Sequence, residues 1–165
     1  MAEQSQDVVE LILDDHRRME ELFRRMRSVE EDRAQALHEF SALLIAHGEA
    51  EESEVYPALK RYKHIDDDEV EHGVEEHTEG NEALLALLQV GKVGSADWDD
   101  KLEKLVEAVA HHTDEEERTI LNGARENVAD SRRAELGAAF WRAREEHLKA
   151  DCGSIDHVRK VVEAS

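Results

Sequence analysis

A chain of 165 residues with one proline, eight glycines and 4% aromatics has the length of one domain and the composition of helices, with little of the β-branched and aromatic content that strands want. A net charge of −20 excludes the readers of nucleic acid and the binders of anionic membranes, both of which need Lys and Arg in excess. The single Cys152 excludes an internal disulfide framework, no run of about 18 apolar residues is present to span a membrane, and Met1 to Asp7 lacks the basic and apolar parts of a secretory leader, so the expectation is a soluble cytoplasmic protein.

Apolar residues at three- and four-residue spacing predict four long helices, each with one buried face. The first runs from about Ser5 to Ser28 with the stripe Val8, Ile12, Met19, Phe23, Met26. The second runs from about Arg33 to Ala58 with Leu37, Phe40, Leu44 and Val55, and Pro57 is expected to end it. Asp66 to Asp68 open the third, which reaches about Val90 with Val70, Val74, Leu84 and Leu88 inward. After a turn at 91–95, Ser95 or Asp97 caps the fourth, which carries Leu102, Leu105, Val109 and Ile120 and is expected to stop at Asn122-Gly123.

Short connections between such helices predict an all-α, up-down-up-down four-helix bundle over residues 1–123. Residues 124–165 read as a C-terminal helical extension packed on the bundle rather than a separate domain. Ser131 is the expected cap of a helix with Leu136, Phe140, Trp141 and Leu148, and Ser154 of a last one with Ile155, Val158 and Val162.

Ten histidines are scattered along the chain, and helix phase sorts them. His16 falls between Ile12 and Met19 on the first stripe; His47, with Glu51 four residues on, falls between Leu44 and Val55 on the second. His77 follows Val74 on the third, and His112 with Glu116 lies between Val109 and Ile120 on the fourth. His38, His64, His72, His111, His147 and His157 fall off those stripes, in a loop or in the extension. The offsets from each helix midpoint bring the selected residues to one level of an antiparallel bundle.

A single histidine on an apolar face is ordinarily a core residue hydrogen-bonded to a neighbour, and His-x-x-x-Glu can be a side-chain pair on a wet face. Six such groups on one level are different, because each uncompensated buried polar group costs on the order of 1–3 kcal/mol. Metal coordination offsets that cost for all of them. Four imidazoles and two carboxylates without thiolate suit Fe, Mn or Zn, and six ligands exceed a closed structural zinc site. They suit two ions about 3.5–4 Å apart. A metal-free helical interaction module is the remaining reading.

The segments His47-Gly-Glu-Ala-Glu51-Glu52 running into Tyr56-Pro57, and His112-Thr-Asp-Glu-Glu116-Glu117, resemble the two His-x-x-x-Glu-Glu signatures of the hemerythrin-like (HHE cation-binding) family; Asp14-Asp15-His16 and Glu75-Glu76-His77 are similar to its other histidine positions. The resemblance covers residues 8–122 and matches the variant class with His, His-x-x-x-Glu, His, His-x-x-x-Glu. It implies a non-heme di-iron centre with oxo and carboxylate bridges, ahead of Mn or Zn, on His16, His47, Glu51, His77, His112 and Glu116. Gly73 stands where oxygen-carrying members have a fifth histidine, which turns the implied function from carrying oxygen toward reacting with hydrogen peroxide, nitric oxide or dioxygen, in a catalase- or peroxidase-like manner. A non-enzymatic iron or oxygen sensor, or a carrier, is the alternative. The resemblance also makes Tyr56 a candidate ligand. Nine residues from His47 puts it on the opposite helix face unless the helix distorts before Pro57, and it stays outside the expected set.

Overall fold

Acid and hydroxyl side chains open most of the helices. The computed structural model describes residues 6–165. Asp7 caps α1 (Val8–Met26), accepting from the Val9 N–H at 2.9 Å, and Asp32 caps α2 (Arg33–Ala50) through the Gln35 N–H at 3.0 Å. The expected start at Ser5 lies outside the described residues. Asp66 and Ser95 cap α4 (Asp67–Leu88) and α5 (Ala96–Arg118).

Three expected boundaries fall elsewhere. The second helix does not run evenly to Pro57. A π-helical turn at Glu51–Val55 interrupts it, and the helical path resumes as α3 (Tyr56–Leu59) with Pro57 in its first turn. Proline lacks the N–H for an i→i−4 bond and its ring crowds the preceding turn, and the wide turn is where the backbone absorbs this. Asn122-Gly123 is not a stop either. The helix breaks at Thr119 and continues as α6 (Ile120–Asn127), where burial of Ile120, Leu121 and Ala124 outweighs a weak local signal. Ser131 does not cap α7 (Asp130–Lys149); the N-cap position is Ala129, and Arg133 instead ties the Val128 carbonyl at 2.7 Å to Asp7 at 2.9 Å. Ser154 caps α8 (Ile155–Glu163) as expected.

The result is an all-helical bundle. α1 packs on α2, α4 on α5, α2 on α4 and α1 on α5; α7 lies against α1 and α2, and α8 against α4. Among the described residues, no helix is long and apolar enough to cross a membrane.

Two apolar clusters fill the interior rather than one. One gathers Met19 to Met26, Phe40, Leu84, Leu87, Trp98, Leu102 and Leu105. The other gathers Val8 to Ile12, Val55, Tyr56, Val70, Ile120, Leu136 and Phe140. Between Ile12 and Met19, Ala46 and Val55, Val70 and Leu84, and Val109 and Ile120 lies a polar layer. Its residues decide what the fold is for.

Candidate metal centre

Of the ten histidines, only His16, His47, His77 and His112 are buried, each on a different helix. Glu51 and Glu116 are buried with them, at 0% and 2% exposure. The six residues selected by helix phase thus meet in one layer.

Each imidazole is held from behind by a carboxylate of the adjoining helix. His16 Nδ1 is 3.0 Å from Glu117 of α5, and His47 Nδ1 is 2.8 Å from Asp15 of α1. His77 Nδ1 is 2.9 Å from Glu52 in the π turn, and His112 Nδ1 is 3.1 Å from Glu76 of α4. An ionised carboxylate only accepts, so Nδ1 donates in every case and Nε2 is the atom turned inward. Carboxylate–imidazole pairing of this kind fixes tautomer and orientation at metal-binding histidines.

The inward atoms converge on the two glutamates. Glu51 Oε1 lies 2.9 Å from His47 Nε2 and 3.1 Å from His77 Nε2. Glu116 Oε1 lies 3.1 Å from His16 Nε2, and its other oxygen 3.7 Å from His112 Nε2. The donor atoms form two groups, Glu51–His77–His112–Glu116 and His16–His47–Glu116, with every atom of a group within 4.8 Å of the others.

Imidazoles and carboxylates face one another across this layer. Burial favours the neutral imidazole, but the adjoining carboxylates reverse it. His16 and His47 are raised above the ordinary histidine value, and His77 is raised to about 10. Glu51 is held well below the usual range, its burial being outweighed by His47. The hydrogen bond to His16 brings Glu117 down to about 2. Even so, His16 Nε2, His47 Nε2, His112 Nε2, Glu51 Oε2 and Glu116 Oε1 are buried without a hydrogen-bond partner. A borderline cation that displaces the Nε2 protons would satisfy these unpartnered nitrogens and oxygens together, so the residues fit a metal ion.

Tyr56 departs from its expected place. Residues in a π turn advance less about the axis than the 100° of an α-helix, and the turn at Glu51–Val55 swings Tyr56 inward. It is 2% exposed, donates its hydroxyl hydrogen bond to Glu116 Oε2, and stacks on His77 at 5.6 Å between centroids. Burial and the adjoining Glu116 push its phenol well above the ordinary value. The hydroxyl fills the space beside Gly73, where a β-carbon would come within 3.1 Å of it.

Helix phase also passed over Asp15, Glu76 and Arg144. Asp15 and Glu76 each stand one residue before a stripe histidine, as Glu52 and Glu117 stand one after a stripe glutamate; that adjacency is their only signal in sequence. Arg144 has none. It comes from α7, 129 residues from Asp15, and grips that carboxylate with Nε at 2.9 Å and Nη2 at 2.9 Å. Asp15 is lowered in consequence, burial being outweighed by His47 and Arg144. Phe140 of the same helix meets the His47 ring edge-on at 5.5 Å.

A cavity of about 20 Å³ adjoins the four imidazoles, with Met19, Leu44 and Val109 in its wall. A search of curated proteins and a search of solved structures each gave no match. The family model described as Hemerythrin HHE cation binding domain matches residues 7–124, which takes in the whole polar layer. By that match the chain belongs to the hemerythrin HHE cation-binding family, and the buried imidazole–carboxylate layer is its candidate metal centre.

Proposed function

We propose that the chain holds two non-heme iron ions and decomposes hydrogen peroxide, with nitric oxide or dioxygen as further small-molecule reactants. The observation that carries this is the pair of donor groups meeting at Glu116. His77 and His112 would serve one ion and His16 and His47 the other. Glu116 belongs to both groups, and Glu51 lies against both His47 and His77. Zn would find the same donors but has no redox couple, and Mn2+ binds a nitrogen-rich donor set more weakly than Fe2+ does. Bound iron would supply one-electron redox chemistry and positions open to a small oxidant.

The protein's own groups supply the rest. The carboxylates behind each Nδ1 orient the rings, Tyr56 holds a proton at its hydroxyl against Glu116, and Met19, Leu44 and Val109 keep the cavity wall apolar. A cavity of about 20 Å³ has room for a water-sized molecule, which suits a small oxidant. Where an oxygen carrier of the family would have a fifth imidazole, the chain has Gly73 and the Tyr56 phenol, which favours turnover over reversible binding. The opposed placement of successive stripes supports an up-down-up-down order, and the packing of α7 on α1 and α2 supports residues 124–165 being part of the same unit; the single, unpaired Cys152 suits a reducing, cytoplasmic location.

The test is oxygen evolution from peroxide by iron-loaded protein, where two H2O2 give two H2O and one O2. Many turnovers per chain are expected, and a reaction that ends at one equivalent defeats the reading. One observation favours a sensor instead: Arg144 and Phe140 link α7 to His47, so a change at the centre can reach the extension. That reading requires hydrogen exchange in α7 to differ between oxidised and reduced iron-loaded protein.

A further inference from the structure

The second pair of His-x-x-x-Glu motifs points outward. His72 and Glu76 on α4, and His111 and Glu115 on α5, share the spacing of the inner motifs but are displaced from them by one position or more. His111 Nε2 lies 3.1 Å from Glu76 Oε2 and 3.2 Å from Glu115 Oε2. His72 Nε2 lies 3.6 and 3.7 Å from the same two oxygens, and all four donor atoms are within 4.8 Å of one another. For bonds of about 2.0–2.1 Å, the edge of a tetrahedron is about 3.3–3.4 Å long. The observed separations straddle that value.

Glu76 is what makes this more than a surface cluster. It is 5% exposed, and its Oε2 has no hydrogen-bond partner although it faces both outer histidines. Its other oxygen accepts from His112 Nδ1 at 3.1 Å. Among the described residues, neither Lys nor Arg pairs with Glu76 or Glu115. A cavity of about 10 Å³ is lined by His72, Gly73, Glu76, His112, Glu115 and Glu116, and so touches both the outer cluster and the inner layer.

We propose that His72, Glu76, His111 and Glu115 form a second cation site, open to solvent, for a single divalent transition-metal ion of the Zn2+ or Fe2+ kind. Two imidazoles and two carboxylates give it four donors and a charge of −2 before the cation binds. It shares Glu76 with the inner centre, so an ion there bears on the carboxylate that orients His112. The outer ion does not depend on the inner donors, since no inner donor atom is among its ligands.

The test uses Zn2+, with equilibrium dialysis of the full chain followed by elemental analysis. His72 and His111 are 48% and 65% exposed, so His72→Gln with His111→Gln leaves the helical circular dichroism unchanged. This variant is expected to hold one Zn2+ fewer per chain than the parent. The same loss is expected in a His47→Gln/Glu51→Gln background, where the inner donors are depleted. Equal Zn2+ in parent and outer variant, in both backgrounds, overturns the site. Glu115→Gln is the second variant; unchanged Zn2+ affinity on its substitution overturns it as well. Failure of the inner-centre reading shows separately, as equal metal content in the parent and the inner variant.

Discussion

A methyl group on Gly73 would lie 3.1 Å from the Tyr56 hydroxyl and 3.4 Å from Ile120 Cδ1. Alanine normally improves on glycine inside a helix by about 0.5–1 kcal/mol. Crowding of a packed site costs about 1–3 kcal/mol. Gly73→Ala is therefore expected to destabilise the metal-free protein by about 1 kcal/mol, because the displaced hydroxyl also loses its alignment with Glu116. In a Tyr56→Phe background the hydroxyl is gone, and the same substitution becomes neutral or stabilising. Urea denaturation of the four proteins measures the coupling; an equal effect of Gly73→Ala in both backgrounds would refute it. Cys152 poses a simpler case. It is 1% exposed, its thiol donates to the Ala42 carbonyl at 3.3 Å, and burial pushes its pKa up. The thiolate is the reactive form, so labelling by a thiol reagent should be slow in the folded protein and become fast only in denaturant. Fast labelling at neutral pH without denaturant would contradict that placement.

At the scale of elements, the extension and the bundle meet at an ion pair. Asp15 is 4% exposed and stands between His47 Nδ1 and the Arg144 fork. Arg144→Leu leaves a buried carboxylate with half its partners, at a cost of about 3–5 kcal/mol in stability. Loss of such a support at a metal-binding histidine weakens metal retention by roughly 10–100-fold. Chelator competition on Arg144→Leu checks the second effect and denaturant melting the first; retention equal to the parent's would show that α7 has no hold on His47. None of this link could be read from sequence, because Arg144 sits on a helix with no periodicity tied to His47. The stripes themselves were legible. Ile12, His16 and Met19 repeat with the α-helical period, and the same arithmetic brought His47, Glu51, His77, His112 and Glu116 into the buried layer. That arithmetic failed at Tyr56 for a physical reason. It assumes about 100° per residue, and the π turn ahead of Pro57 breaks the assumption. Pro57 was visible, and with it the place before the proline where a distortion would fall; that the distortion would be a π turn swinging Tyr56 inward was not.

Across the whole molecule, the polar layer divides the interior into two apolar clusters, each drawing on several helices. This arrangement decides what metal removal does. With metal bound, the orphan Nε2 and carboxylate atoms would have partners; without it, several buried polar atoms are left to protons and one another. The ends of the bundle lose nothing, since Leu22, Phe40 and Trp98 on one side and Ile12, Val55 and Phe140 on the other stay packed. Chelation should therefore lower the melting temperature while leaving the far-ultraviolet helical signal nearly unchanged. A ligand at 100 times its dissociation constant adds about 2.7 kcal/mol, so the shift should grow with free metal concentration. Amide exchange should then rise most around His16, His47, His77 and His112, in the middle of the helices, and least at Leu22, Leu84 and Leu102. Exchange that rises first in the apolar clusters, or loss of helix on chelation, would mean that the metal holds the fold itself and not only the layer it occupies.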